Sequence, residues 1–146
     1  MPRRPPGALR AAPHARRAGA RPYSQVRGLG RSAQAAVRRA EADRFGPGFL
    51  GGALATYEGF LRQPGRVLYP PLPDCPCCGI LDARDDVEEL LHALPPSARR
   101  EVGRIVARLD AEFERRTLPD PFAAAHPGGS WRHQRRPWWH LRLTGA

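Results

Sequence analysis

Leu, Val, Ile and Phe together occupy only 28 of the 146 positions. At about 19%, a highly charged chain approaches the level where it no longer buries enough apolar surface to fold. One core spanning the whole length is therefore excluded. Any ordered part must be assembled from the few segments where these residues recur with a helical period. No apolar run approaches the roughly 18–20 residues that cross a bilayer. Three cysteines crowded between Cys75 and Cys78 cannot staple distant loops, so a secreted disulfide scaffold is excluded as well.

The charge is as uneven as the apolar content. All 24 cationic residues are Arg, against 14 acids, for a net charge of +10. Ten of the Arg fall in residues 1–40, where there is no acid. Residues 41–72 are neutral, 73–120 are net acidic, and the end is basic again through Arg132, Arg135, Arg136 and Arg142. Basic arms at both ends of an acidic middle suit an anionic partner such as nucleic acid, and suit solubilising disorder equally well.

Residues 1–31 are expected to be a disordered basic leader. Pro2, Pro5, Pro6, Pro13 and Pro22, with Gly7, Gly19, Gly28 and Gly30, interrupt any helix before two turns form. The arginine content resembles that of a transit peptide, but those prolines break the amphipathic helix such a peptide needs. Ser32 is expected to cap a helix over Ala33 to Phe45, stopped by Gly46-Pro47-Gly48. A second helix is expected from about Phe49 to Arg62, with Leu50, Leu54, Tyr57 and Leu61 on one face. Its glycines Gly51, Gly52 and Gly59 each cost about 1 kcal/mol against Ala, so packing must hold it.

The strongest periodic signal is an αα-hairpin between about Asp82 and Arg116. Val87, Leu90, Leu91 and Leu94 form the first stripe, and Val102, Ile105, Val106, Leu109 and Phe113 the second. Pro95-Pro96 separates them, Ser97 is a candidate cap, and Arg108–Glu112 and Glu112–Arg116 are candidate i,i+4 pairs. The two stripes cannot cover each other completely. Either the 49–62 helix closes over them or a second copy does, giving a homodimer through residues 84–116. As a DNA-reading helix-turn-helix the hairpin offers Arg99, Arg100, Arg104 and Arg108, but Glu101, Asp110, Glu112 and Glu114 interleave with them.

Asp74-Cys75-Pro76-Cys77-Cys78-Gly79 carries the sharpest chemistry. Two thiolates three apart on a tight turn point to one side and reach about 2.3 Å from a single Zn²⁺. The run resembles the CPxCG knuckle that forms half of a zinc ribbon, with Cys75 and Cys78 in the ligand positions. That resemblance implies a zinc site, yet no second CxxC exists. His92, 14 residues after Cys78, is the first candidate for a further ligand. His126, His133, His140 and a second chain's knuckle follow, and Cys77 stands beside the pair. The same thiols also allow a redox pair, copper binding or inert cysteines. Cys75-Pro-Cys-Cys78, with Arg115-Arg-Thr-Leu-Pro-Asp-Pro121, is also similar to small proteins of GC-rich bacteria, a similarity that implies no activity.

In residues 122–146, Trp131, Trp138 and Trp139 lie among Arg132, Arg135 and Arg136. Aromatics stack on bases and Arg binds phosphate, so these six residues are the candidate nucleic-acid contacts. Alternatively the tail folds back, its Trp residues covering the hairpin with Arg stacked on the rings. No nucleophile–base spacing and no phosphate loop is present. The expectation is a mostly α protein, non-catalytic and cytoplasmic. It comprises a small helical domain over residues 32–121 built on an αα-hairpin, a disordered Arg/Pro-rich N-terminus and a basic Trp/Arg tail. Zinc is its expected cofactor and nucleic acid its expected partner. The alternatives are a dimeric assembly factor with no nucleic-acid role and a thiol-redox or metal-sensing protein. Neither membrane contact nor a small-molecule substrate is expected.

Overall fold

The computed structural model describes residues 25–71, 79–123 and 136–145. These residues are mostly helical, with no strand among them. Helix α1 spans Arg31–Ala40 and continues into a π-helical turn, Glu41–Phe45. Helices α2, Phe49–Leu61, α3, Ile80–Ala93, and α4, Pro96–Arg116, follow. A 3-10 turn over Trp138–Leu141 completes the order.

The α1–α2 connection turns on two glycines in the left-handed region, Gly46 at φ 93° and Gly48 at φ 77°. That conformation favours a residue without a Cβ, which is why Gly-Pro-Gly stops the helix. The cap differs from expectation. Helix α1 starts one residue before Ser32, its N-cap is Gly30, and no side chain of its own caps it. Instead Glu101 of α4 accepts a hydrogen bond from the Gly30 N–H at 2.8 Å. Ser97 is likewise no cap, because Pro95 holds that position in α4 with Pro96 at the first helical residue. Proline needs no partner for a missing N–H, so it fits there without a side-chain cap.

Helix α2 lies against α3 and α1 against α4. Leu50, Leu54, Val87, Leu90, Val102 and Val106 are all buried in one cluster, with Ala33, Ala36 and Val37 closing it from α1. A second cluster joins Tyr57, Phe60, Leu61, Leu68, Ile80, Phe113 and Trp139. The Phe113 ring lies 5.6 Å from Tyr57 and 5.9 Å from Phe60, centroid to centroid. The apolar stripes of residues 84–116, for which either the 49–62 helix or a second copy was the expected cover, are covered within the chain by α1, α2 and the C-terminal segment.

Residues 136–145 therefore belong to the helical domain rather than to a separate tail. Pro119 and Arg142 form an antiparallel bridge, and Pro71 and Gly145 a parallel one. Trp139, 6% exposed, enters the second cluster. The basic leader also ends earlier than residue 31: Val26 and Leu29 pack against the main core. Residues 25–30 thus form a strap beside α1 and α4. The remainder of the leader lies outside the described residues.

Candidate functional site

The expected metal ligands divide. Cys75, Cys77 and Cys78 lie outside the described residues, as do His126 and His133. His92 sits in the last turn of α3, 72% exposed, with its Nδ1 at 2.9 Å from the Glu88 carbonyl oxygen. Helix α3 runs unbroken from Ile80. At about 1.5 Å of rise per residue, His92 is about 20 Å along the axis from Gly79. Cys78 lies outside the described residues, and its expected partner His92 stands at the opposite end of α3 from Gly79. Among the described residues no three His, Cys, Asp or Glu side chains gather as a cation site.

What the structure does assemble is a polar cluster around Arg84, a residue the sequence did not single out. Its side chain is only 6% exposed. The guanidinium grips Asp110 through two hydrogen bonds of 2.9 and 3.0 Å and donates a third, 2.9 Å, to Glu88. Its flat face lies 4.0 Å from the Trp139 ring. Burial pulls the Arg84 pKa down, but its carboxylate partners outweigh that and hold it above the ordinary value. Asp110 also accepts the Tyr57 hydroxyl at 2.8 Å. Burial, reinforced by that carboxylate, pushes the Tyr57 phenol far above its usual range.

At the next position of α3, Asp85 accepts the Trp139 indole N–H at 2.8 Å and meets His140 Nε2 at 2.7 Å. Burial raises the Asp85 carboxyl, but the His140 and Trp139 contacts together bring it below the ordinary value. Asp86 moves the other way, raised first by burial and then by Asp82, Glu89 and Asp85. The cluster is a fastening: it pins the C-terminal segment to α3 and α4. Of the expected nucleic-acid contacts, Trp139 is therefore buried with one face taken by Arg84. A buried ring is not available to stack on a base. Arg136 and Trp138 remain exposed, and Trp131, Arg132 and Arg135 lie outside the described residues.

Three other arginines serve helix C-termini, where carbonyls lack intrahelical partners. Arg99 donates to the carbonyls of Leu91, His92 and Leu94 at the end of α3, at 2.8–3.1 Å. Arg116 donates to Leu61, Gln63 and Gly65 beyond α2. Arg142 donates to Glu114 and Thr117 beyond α4. Arg115 pairs with Glu112 at 2.6 Å and Arg62 with Glu58 at 2.6 Å. The expected Glu112–Arg116 pair is open to 3.9 Å because Arg116 faces α2 instead.

The arginines of the opposite side have no such duty. Arg31 and Arg38 on α1, with Arg100, Arg104 and Arg108 on α4, are exposed and form no ion pair. Three of the four acids that interleave with them in sequence are engaged elsewhere, Glu101 on Gly30, Asp110 on Arg84 and Glu112 on Arg115, while Glu114 is exposed near the end of α4. A hollow lined by Gly28, Glu101, Arg104, Ile105 and Arg108 lies on one side of the strap. Another lined by Val26, Leu29, Arg31, Gln34 and Arg38 lies on the other.

Comparison with protein-family models, with curated proteins and with solved structures found no match to this chain.

Proposed function

We propose that this chain is a small non-catalytic nucleic-acid-binding protein, in which a helical scaffold presents arginines to phosphate. One observation carries the reading: the arginines fall into two populations. Arg84, Arg99, Arg115, Arg116 and Arg142 are consumed by internal carboxylates and carbonyls. Those of the α1–α4 side form no ion pair with a described residue, and residues 1–24, which precede the strap in sequence, hold six further Arg and no acid. Unopposed cations attract a polyanion by releasing its counterions. The exposed Arg136 and Trp138 at the other end extend the same chemistry.

Zinc enters this proposal as a stabilising element held by Cys75 and Cys78. Because His92 lies about 20 Å along α3 from Gly79, this proposal takes the remaining ligands from other histidines or from a second chain's cysteines. The test of the function is titration of the full chain with fluorescent nucleic acids over a range of salt. The expected logarithm of affinity falls linearly with the logarithm of salt, by about 0.9 per duplex phosphate contacted. Absence of binding at low salt overturns the proposal.

A further inference from the structure

We infer that the α1–α4 face binds the sugar–phosphate backbone of a duplex, independent of base sequence, with Arg104 and Arg108 as its centre. This inference rests on the nucleic-acid reading above and adds to it the surface and the form of the partner. The exposed stripe of α4 carries Arg100, Arg104 and Arg108 at i, i+4 and i+8, with Ala107 exposed between them and Ala111 directly beyond, before Glu114 and Arg115 end the helix's exposed side. Successive guanidinium groups are thus offset by about 6 Å along the axis, a step a row of backbone phosphates follows. The methyl side chains of the two alanines leave that row unobstructed.

Across the strap, Arg31 and Arg38 add a second pair of cations, with the Gln34 side chain tied to the Val26 N–H at 3.1 Å. The neighbouring carboxylate that would repel phosphate, Glu101, is neutralised in part by the Gly30 N–H and the start of α1.

The choice of duplex over single strand follows from what lines this face. Proteins that hold single strands add aromatic platforms on which unpaired bases stack. Neither hollow beside the strap is lined by a Phe, Tyr or Trp. Phosphate contacts alone remain, and these position a duplex without reading it. The half-exposed Trp138 belongs to the other end of the fold, beside Phe113.

The experiment compares the full chain with an Arg104→Gln/Arg108→Gln variant on a duplex and on its isolated strand. Both residues are exposed and form no ion pair with a described residue, Arg104 making only a long 3.4 Å hydrogen bond to the Arg100 carbonyl, so the variant should keep the wild-type circular dichroism and unfolding midpoint. The expected result is preference for the duplex, with the salt slope of the variant shallower by about 1.8, two phosphates' worth. Adding Arg31→Gln and Arg38→Gln brings the total change to about 3.6. Duplex binding with an unchanged slope overturns this inference and leaves the proposed function, its contacts then lying in residues 1–24 or at the C-terminal end. Preference for the single strand, lost in Trp138→Ala, also overturns it. Binding to neither nucleic acid, or to anionic vesicles alone, overturns both.

Discussion

Replacing Arg84 by Met tests the fastening at the centre of the fold. The change removes a guanidinium 6% exposed and leaves Asp110, itself 18% exposed, with the Tyr57 hydroxyl as its remaining strong donor. Breaking a buried ion pair from one side typically costs 3–5 kcal/mol, because the abandoned charge stays desolvated. Here the lower end applies, since Tyr57 still donates and water has some access to Asp110. Loss of the guanidinium over Trp139, 4.0 Å away, adds about 0.5–2 kcal/mol, of which a methionine thioether recovers part. The expected loss is about 3 kcal/mol, a large share of the roughly 5–15 kcal/mol that holds a domain together. For a domain of this size that lowers the melting temperature by about 12–24 °C.

Urea unfolding followed by circular dichroism reads the loss, and a double-mutant cycle assigns it. Asp110→Leu combined with Arg84→Met removes both charges and should recover much of the stability, because the carboxylate that loses its partner is then only Glu88, whose side chain is 36% exposed to water. A loss below about 1 kcal/mol in the single variant refutes the reasoning. So does strict additivity in the double variant, which would mean the two side chains act independently.

Further predictions concern the helices, pH and metal. A Cβ added at Gly52 or Gly59 of α2 would meet nothing within 4 Å, so Gly52→Ala and Gly59→Ala should each raise stability by about 0.5–1 kcal/mol in urea melts. The raised Tyr57 phenol means the fold keeps it neutral. Its contribution is complete below the ordinary value of 10.0 and is lost as pH rises above it. The urea midpoint should therefore fall in that alkaline range, and Tyr57→Phe should abolish that slope. Asp85, lowered, acts oppositely: its contribution is present above 3.8 and is lost as pH falls below it, so Asp85→Asn should flatten the acid limb. Elemental analysis of protein purified without chelator should give the same zinc content for His92→Ala as for the unaltered chain. A loss confined to that variant would mean His92 is a ligand supplied across chains.

Periodicity was sufficient for the elements. The 3.6-residue recurrence of Leu50, Leu54, Tyr57 and Leu61 places α2 within one residue of its observed end. The proline pair marks the α3–α4 break to the same accuracy. What periodicity does not contain is the partner of each polar group. Glu41 is an example: as the first residue of an Ala- and Arg-rich stretch end, it looks like a solvated acid. In the fold it is 3% exposed and accepts the N–H groups of Gly48 and Leu50, capping α2 from the preceding turn. Glu101 does the same for α1 across 71 positions of sequence. Local rules look for caps within a few residues, so both were invisible. Trp139 fell between two readings for a similar reason, since its environment depends on Arg84 and Asp85, some 55 residues away.

The same distance explains why net charge is a poor guide to function in this chain. Arg carries five donors in a rigid fork and is suited to clasp carbonyls and carboxylates that a point charge serves less well. With no Lys in the sequence, structural and partner-facing cations look identical on paper. Folding separates them, because a guanidinium near an open helix end or a buried carboxylate satisfies that group first. Desolvated acceptors left unmade are costly, whereas an exposed surface pair contributes little. The cations available to a phosphate are then the remainder, and on the folded domain that remainder is concentrated on α1 and α4. A chain with the same +10 but with Glu101, Asp110 and Glu112 released from Gly30, Arg84 and Arg115 would present a mixed surface on this side. Engaging those three acids within the fold is what leaves the arginines of α1 and α4 without carboxylate partners.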